Sequence, residues 1–416
     1  MPSPAPAMDS TRNAHHDGVP WPDYLVRVPE PHESVPVADV HGHTMAGDLD
    51  TYVTQRLPVR PLTRLLQAAP GVEVHGVYPT HFPAVASQLG YTRISPVSPL
   101  RQQGKPLNAV RPRLFSGRDH EGRLCALLAV PPGRDYVLHY ASLVRHFVGR
   151  NPTTTGQPVD VWRYPEAEQR IARWTGLDGH FVRPGDTVVL GNVEHCAAEF
   201  DRLGIAADTE PANGYYTGRR YRLPGGRATV LLGSHFSYWG SISTHIATRC
   251  CELGAREILY VGKLGALSSP IDLYTRLFVP SQYAVFHRLL LVATADGLPN
   301  GVLERFPGLD SGLHVSVPTV LEEDYHQRSA VGGLGATTID NELSQIAVAI
   351  DQWNTQHRQA IRFSAVHYAT DYLRPRSEAR RRIPYSLCTG RSGACRDSRR
   401  DAMRMISDCL HDYLVS

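Results

Sequence analysis

No apolar run in this 416-residue chain is long enough to cross a bilayer as a helix, and no signal peptide opens it. Cysteine is sparse: seven residues, an odd number scattered along the chain, point to a reducing cytoplasm rather than a disulfide scaffold. A charge excess is missing too. A formal charge of +3 and a pI near 8.4 make no case for nucleic acid or a membrane surface as partner. Zinc-site spacing is absent around Cys388 and Cys395, and the adjacent Cys250 and Cys251, on an expected helix, read as small buried apolar residues. Arginines do crowd between Arg374 and Arg400, read as an exposed loop solvated by its own charge, with phosphate or RNA contact as the alternative.

An apolar fraction of 42% is ordinary for a globular protein, and the length suggests two domains. Residues 1–20, rich in Pro, Ala, Ser and His without apolar periodicity, are expected to be disordered. Residues 21–180 form the first expected domain, of α+β type. Within it, Leu124 to Val130 reads as a buried strand and Asp135 to Val148 as a helix with apolar residues at helical spacing. Asp39-Val40-His41-Gly42-His43 places two histidines two apart at a strand end, a spacing that reaches one metal ion; the other reading is a structural or substrate-capping loop. The turn Arg183-Pro184-Gly185-Asp186 marks entry into the second domain, residues 181–416.

The organising stretch of that domain is Ala228 to Leu267. Runs rich in β-branched residues at Thr229 to Leu232 and Glu257 to Val261 flank apolar residues at helical spacing, which reads strand, helix, strand. The loops Gly233-Ser234 and Gly262-Lys263-Leu264-Gly265 then fall on one edge, where a ligand can approach the backbone.

Glu252-Leu253-Gly254-Ala255 followed by Tyr260-Val261-Gly262-Lys263-Leu264-Gly265-Ala266-Leu267 resembles the core of the nucleoside phosphorylase and nucleosidase superfamily. Three further stretches stand in that family's order: Gly191-Asn192-Val193-Glu194-His195, Asp340-Asn341-Glu342 and Ala369-Thr370-Asp371. The resemblance covers about residues 180 to 416 and implies an α/β protein whose second domain is a three-layer αβα nucleoside phosphorylase-like fold. It implies an N-ribosyl hydrolase or a phosphorylase, releasing free base from a purine-type nucleoside or nucleotide. It also implies a homo-oligomer, dimer or hexamer, without metal or cofactor.

By the same resemblance, Asp371 donates a proton to the purine N7, Glu342 hydrogen-bonds ribose hydroxyls and Asp340 helps prepare water. A carboxyl group keeps a proton to donate near neutral pH only where burial raises its pKa. Gly191, Ser234 and Gly262 are expected at the ligand-facing loops, and Asn341 stands where the family has the methionine beneath the sugar. Tyr283 could stack on a base, against the alternative of packing. Departures from the family cluster at phosphate: His195 and Tyr260 replace two arginines, and Lys263 replaces a Thr or Ser. These favour hydrolysis over phosphorolysis, although Lys263 can serve phosphate as a point charge. The alternatives are a nucleotide-sensing module without turnover, and a metal-dependent hydrolase acting through His41 and His43.

Overall fold

The computed structural model describes residues 27–29, 49–102, 106–223, 227–267, 276–373 and 393–415. His41 and His43, Cys388 and the arginines from Arg374 to Arg391 lie outside the described residues. The chain is a mixed α/β protein built on two mixed sheets.

The first sheet takes its strands from β1 (Val28–Pro29), β2 (Val72–His75), β3 (Thr92–Pro96), β4 (Arg113–Arg118), β5 (Leu124–Ala129) and β6 (Val159–Arg163). Their order is β1-β6-β2-β5-β4-β3, with β2 parallel to both β5 and β6. Helices α1 (Leu49–Arg56), α2 (Val59–Leu66), α3 (Phe82–Gln88) and α4 (Arg134–Arg150) pack around it, and α5 (Pro165–Gln169) and α6 (Ile171–Trp174) lead out. The apolar run of β5 is buried almost throughout, as its composition predicts. α5 and α6 are two short helices that meet at Arg170.

The second sheet holds β7 (Thr187–Gly191), β8 (Tyr216–Arg222), β9 (Ala228–Ser234), β10 (Glu257–Ala266), β11 (Leu277–Phe278), β12 (Gln282–His287), β13 (Leu290–Thr294), β14 (Leu313–Ser316), β15 (Ala336–Asp340) and β16 (Arg362–Tyr372). Its helices are α7 (Val193–Arg202), α8 (Ser241–Glu252), α9 (Gly301–Arg305), α10 (Tyr325–Gly333), α11 (Leu343–His357) and α12 (Gly393–Val415). β10 is the hub: it runs parallel to β7 on one side and to β16 along its whole length, and its last residues also meet β15 antiparallel. The strand-helix-strand reading of 228–267 holds, but β9 and β10 are not direct neighbours. β7 lies between them and is parallel to both. Local sequence shows that two strands flank a helix; which strand inserts between them is decided by burial on the sheet as a whole.

Alternation along the strands explains why this sheet is covered on both faces. Val188, Val230 and Ile258 belong to one buried cluster with α8 and α11, while Val189, Leu231 and Leu259 belong to another with α7 and α12. Each such side chain stabilises the fold by about 1.5–3 kcal/mol. The first cluster is continuous with Val72 and Val74 of the other sheet and with Leu143 of α4, so the two sheets share one core. Cys250 and Cys251 are buried within it, in keeping with their reading as packing residues. Two polar fasteners complete the frame. The Asp186 carboxylate accepts from the Arg183 amide at 2.7 Å and from the Arg220 guanidinium at 2.5 and 2.8 Å, pinning the turn before β7. Tyr413 on α12 donates to the buried Glu257 at the start of β10, which anchors that helix on the sheet.

Candidate active site

The stretches read as loops are strand: Gly233 and Ser234 end β9, beyond β7, and Gly262 to Gly265 lie within β10; the carboxyl-bearing stretches meet at the carboxyl ends of β10 and β16, beside β14, β15 and the start of α11. β15 ends on Asp340, whose side chain turns back onto α11. Asp340 Oδ1 accepts from the Glu342 amide at 3.0 Å and from Ser316 Oγ at 2.5 Å, and Oδ2 accepts from the Leu343 amide at 3.1 Å. His314 Nε2 stands 2.9 Å from the same Oδ1. Burial pushes this carboxyl up, but the His314 imidazole and its hydrogen bond, the nearby His367 and Ser316 together hold it below the usual range. Asp340 is therefore an ionised anchor for the amino end of α11.

Burial prevails at its neighbours instead. Glu342 is pushed well above the ordinary carboxylate range, by desolvation first and then by the charge of Asp340, with Lys263 opposing from the far side. Glu323, on the turn after β14, is 6% exposed and pushed up to about 8 by burial. Arg328 lowers it, the charges of Asp371 and Asp340 raise it further, and a hydrogen bond from Asn341 opposes them. Asn341 Nδ2 donates to the Val317 carbonyl at 3.1 Å and faces Glu323 Oε1 at 3.4 Å, so this asparagine brings the turn of Glu323 against the start of α11.

Asp371 lies inside β16, beside Gly265 of β10, and is 6% exposed. A β-bulge at Thr370 precedes it, and Thr370 Oγ1 donates to its Oδ2 at 3.2 Å. It caps no helix: the strand runs on through Tyr372. Four residues earlier, His367 is fully buried opposite Gly262, and neither ring nitrogen has a hydrogen-bond partner among the described residues. Desolvation drives this imidazole down to about 3, against the pull of Asp340, so it is neutral across the working range. Tyr260 packs 5.1 Å from it, ring to ring.

Gly191, at the end of β7, and Gly262, within β10, serve close packing. Gly191 has φ +100°, and a Cβ there would stand 2.0 Å from the Val261 carbonyl oxygen; the next amide, Asn192, donates to that same oxygen at 2.8 Å. A Cβ on Gly262 would stand 2.6 Å from His367 Nε2. Ser234 is spent locally, its hydroxyl donating to the Phe236 carbonyl at 2.9 Å. Tyr283 is fully buried against Phe363, its hydroxyl donating to the Pro280 carbonyl at 3.0 Å, and the fold does not bring it to the carboxyl cluster. His195 and Lys263 are both exposed, on the α7 side of β10. The His195 imidazole is held below its usual range by desolvation and then by the Lys263 charge, with Glu194 opposing.

The first sheet's unit covers the site from the other side. Asp135 of α4 accepts from the Ser241 amide at 2.8 Å, satisfying the amino end of α8, and burial pushes its carboxyl up to about 6. His139 Nδ1 meets Thr319 Oγ1 at 2.7 Å, and Trp239 stacks on Tyr136 at 4.6 Å. Glu323 and His314 stand in no motif, and the one signal for Glu323 is the bare acidic run Glu322-Glu323-Asp324. Among the described residues, no group of three or more His, Cys, Asp or Glu could hold a metal ion, and no helix is long and apolar enough to cross a membrane.

No family model matches the chain. A curated relative, the oxidoreductase cns1 of Cordyceps militaris, is 32% identical over 363 residues, covering 84% of this chain and 46% of that protein. The chain thus spans a little under half the length of that relative. Among solved structures, the chain is similar to uridine phosphorylase from Vibrio fischeri, at 11% identity and TM-score 0.42, over 57% of this chain and 93% of that one. It is similar to the Helicobacter pylori nucleosidase MTAN, at 10% and 0.38, over 55% and 98%. It is also similar to H. pylori futalosine hydrolase, at 11% and 0.39, over 56% and 98%. These are structures of nucleoside phosphorylase and nucleosidase type.

Proposed function

We propose that the chain cleaves the N-glycosidic bond of a purine nucleoside or nucleotide by hydrolysis. The observation that carries this reading is the carboxyl cluster itself: Asp340 accepts from Ser316 and from the Glu342 and Leu343 amides, while burial pushes Glu323 up to about 8 and Glu342 upward. Breaking the C1′–N9 bond sends its electron pair to the base and leaves positive charge on the ribose ring. The departing base takes a proton at N7, and the ring is stabilised by nearby negative charge. Glu323, whose carboxyl the charge of Asp371 raises, holds the proton, and Asp371 passes it to the base. Water then adds to C1′ and returns a proton to the vacated carboxylate. Glu342 faces the ribose hydroxyls. Asp340 acts by holding Glu342 and α11 in place, a different role from the water-preparing one its position in the motif implies.

Hydrolysis is favoured over phosphorolysis by the close-packed loops: the Asn192 amide is taken by Val261, and Gly262 is pressed against His367. Residues 21–180 act in this proposal as a cap, through the Asp135 and His139 contacts. Chromatographic detection of free base from purine and pyrimidine nucleosides and their monophosphates, with and without added phosphate, tests the proposal. Purine release without phosphate is expected; release only with phosphate overturns hydrolysis. Oxidoreductase chemistry, the activity in the fungal relative's name, is read in the same assay from nicotinamide absorbance. A second reading, a nucleoside-sensing module without turnover, is favoured by the commitment of Asp340 to α11. Saturable nucleoside binding without base release would establish it.

A further inference from the structure

β13 is the outermost strand of the second sheet, and the hairpin it forms with β12 carries a run of apolar side chains into solvent. Leu289, Leu290, Leu291 and Val292 are 51, 71, 57 and 62% exposed, and these four consecutive positions are half of the eight large apolar residues exposed among the described residues. A strand packed on one face exposes every second residue, yet here three strand residues in a row face out. The pairing with β12 explains it. Ala293 stands opposite Val285 and Leu291 opposite Phe286, so Val292 is an extra residue, a β-bulge that turns the strand away from its neighbour. From Leu289 to Ala295 no residue is charged; Arg288 precedes this stretch and Asp296 follows it.

The tip is held in place rather than left to fold back. Arg288 and Leu289 form its turn at φ +48° and +67°, a left-handed conformation that residues other than glycine seldom adopt. Their amides donate to Glu322 Oε2 at 3.1 Å and to Gln327 Oε1 at 2.9 Å, and His287 Nδ1 stands 3.0 Å from Glu322 Oε1. Backbone strain and an exposed apolar run are both unfavourable in an isolated chain, and contiguous exposed apolar surface marks interaction sites. A patch already fixed by its own chain loses little conformational entropy on docking.

We infer that this hairpin is an interface with a second copy of the chain, the two tips packing antiparallel about a two-fold axis near Val292. An uncharged stretch bounded by opposite charges is complementary to itself in that arrangement. The four apolar residues of one chain cover those of the other, Arg288 of each chain faces the partner's Asp296, and Val292, midway between positions 288 and 296, falls at the axis. A guanidinium has five donors, so Arg288 reaches across while keeping its contacts within its own chain. The bulge limits the assembly: a bulged edge does not template a growing sheet, so the contact closes at two chains.

Sedimentation velocity of the full chain over a range of concentrations tests the inference, with melting temperatures taken at the most dilute. A monomer–dimer equilibrium is expected, and Val292→Glu is expected to weaken it about tenfold or more without lowering the melting temperature, since the side chain lies in solvent. Asp296→Arg is expected to weaken it too, by setting like charges opposite one another. Val292→Cys should give a disulfide-linked dimer on oxidation, because residues opposed across an antiparallel axis lie within disulfide reach, whereas wild type and Leu334→Cys, exposed elsewhere, should not. A chain that stays monomeric at every concentration overturns the inference, as does a dimer that Val292→Glu leaves intact and Val292→Cys does not link. An Asp296→Arg variant that dimerises like wild type overturns the antiparallel arrangement. Monomeric wild type that binds phosphatidylcholine vesicles through Val292 would make the hairpin a lipid contact and overturn the inference as well.

Discussion

Replacing Glu323 by glutamine removes a proton-holding carboxyl while keeping its size and an oxygen for Asn341. In the folded chain this carboxyl is raised from 4.5 to about 8, and it is 6% exposed, so solvent screens it little. An increase of that size corresponds to ~5 kcal/mol favouring the protonated form. The sign follows from proton counting: the unfolded chain loses this proton near 4.5, whereas the folded chain keeps it until about 8. The folded state then binds more protons between those values, so stability falls as pH rises through that window and is flat above it. Glu323→Gln cannot titrate there. Urea unfolding at pH 5, 7 and 9 should show the variant gaining on wild type with pH, by up to several kcal/mol at pH 9. Base release should fall by about 10²–10⁴, the usual contribution of a general acid, and lose its decline above pH 8. A stability difference independent of pH, or an alkaline decline that survives the substitution, would refute the reasoning.

Three other perturbations have defined outcomes. Asp340→Ala strips the amino end of α11 of its acceptor and leaves His314 and Ser316 facing a gap; a loss of about 3–5 kcal/mol is expected from the urea midpoint, and a loss below 1 kcal/mol would remove the anchoring role. His367→Leu removes a base depressed from 6.5 to about 3, whose unfolded form takes up a proton as pH falls through 6.5 while the folded form does not. The acid-side loss of stability between those values should therefore shrink in melts at pH 4 to 7, and an unchanged acid limb would contradict it. Gly191→Ala adds a Cβ 2.0 Å from the Val261 carbonyl at φ +100°, costing ~1–2 kcal/mol for the backbone alone before the overlap; a melting temperature equal to wild type would show that the loop can shift.

The strands β5, β9 and β10 and the helices α4 and α8 are legible in the sequence because their apolar patterns are strong and local. The hub position of β10 is not, since the placing of β7 between β9 and β10 depends on pairings between distant segments. The same division runs through the candidate site. Asp340, Asn341, Glu342 and Asp371 stand in motifs, and their order along the chain suffices to suggest them. Glu323 enters only through the contact of its turn with Asn341, eighteen residues on, and a bare acidic run gives no hint of that closure. Burial decides the rest: Tyr283 has the residue type of a base-stacking group, yet its ring sits in the core because β12 lies flat against α11 and β14. Arg399, Arg400 and Arg404 belong in sequence to a basic stretch, and only the docking of α12 through Tyr413 brings them beside Lys263.

The central claim is that a buried carboxyl protonates a departing purine at N7. Comparing base release from a purine nucleoside and from its 7-deaza analogue, with wild-type protein at pH 7, tests it most directly. Release from the first and none from the second is the predicted result. Equal release from both would show that N7 takes no proton from Asp371 or Glu323, and would contradict the account.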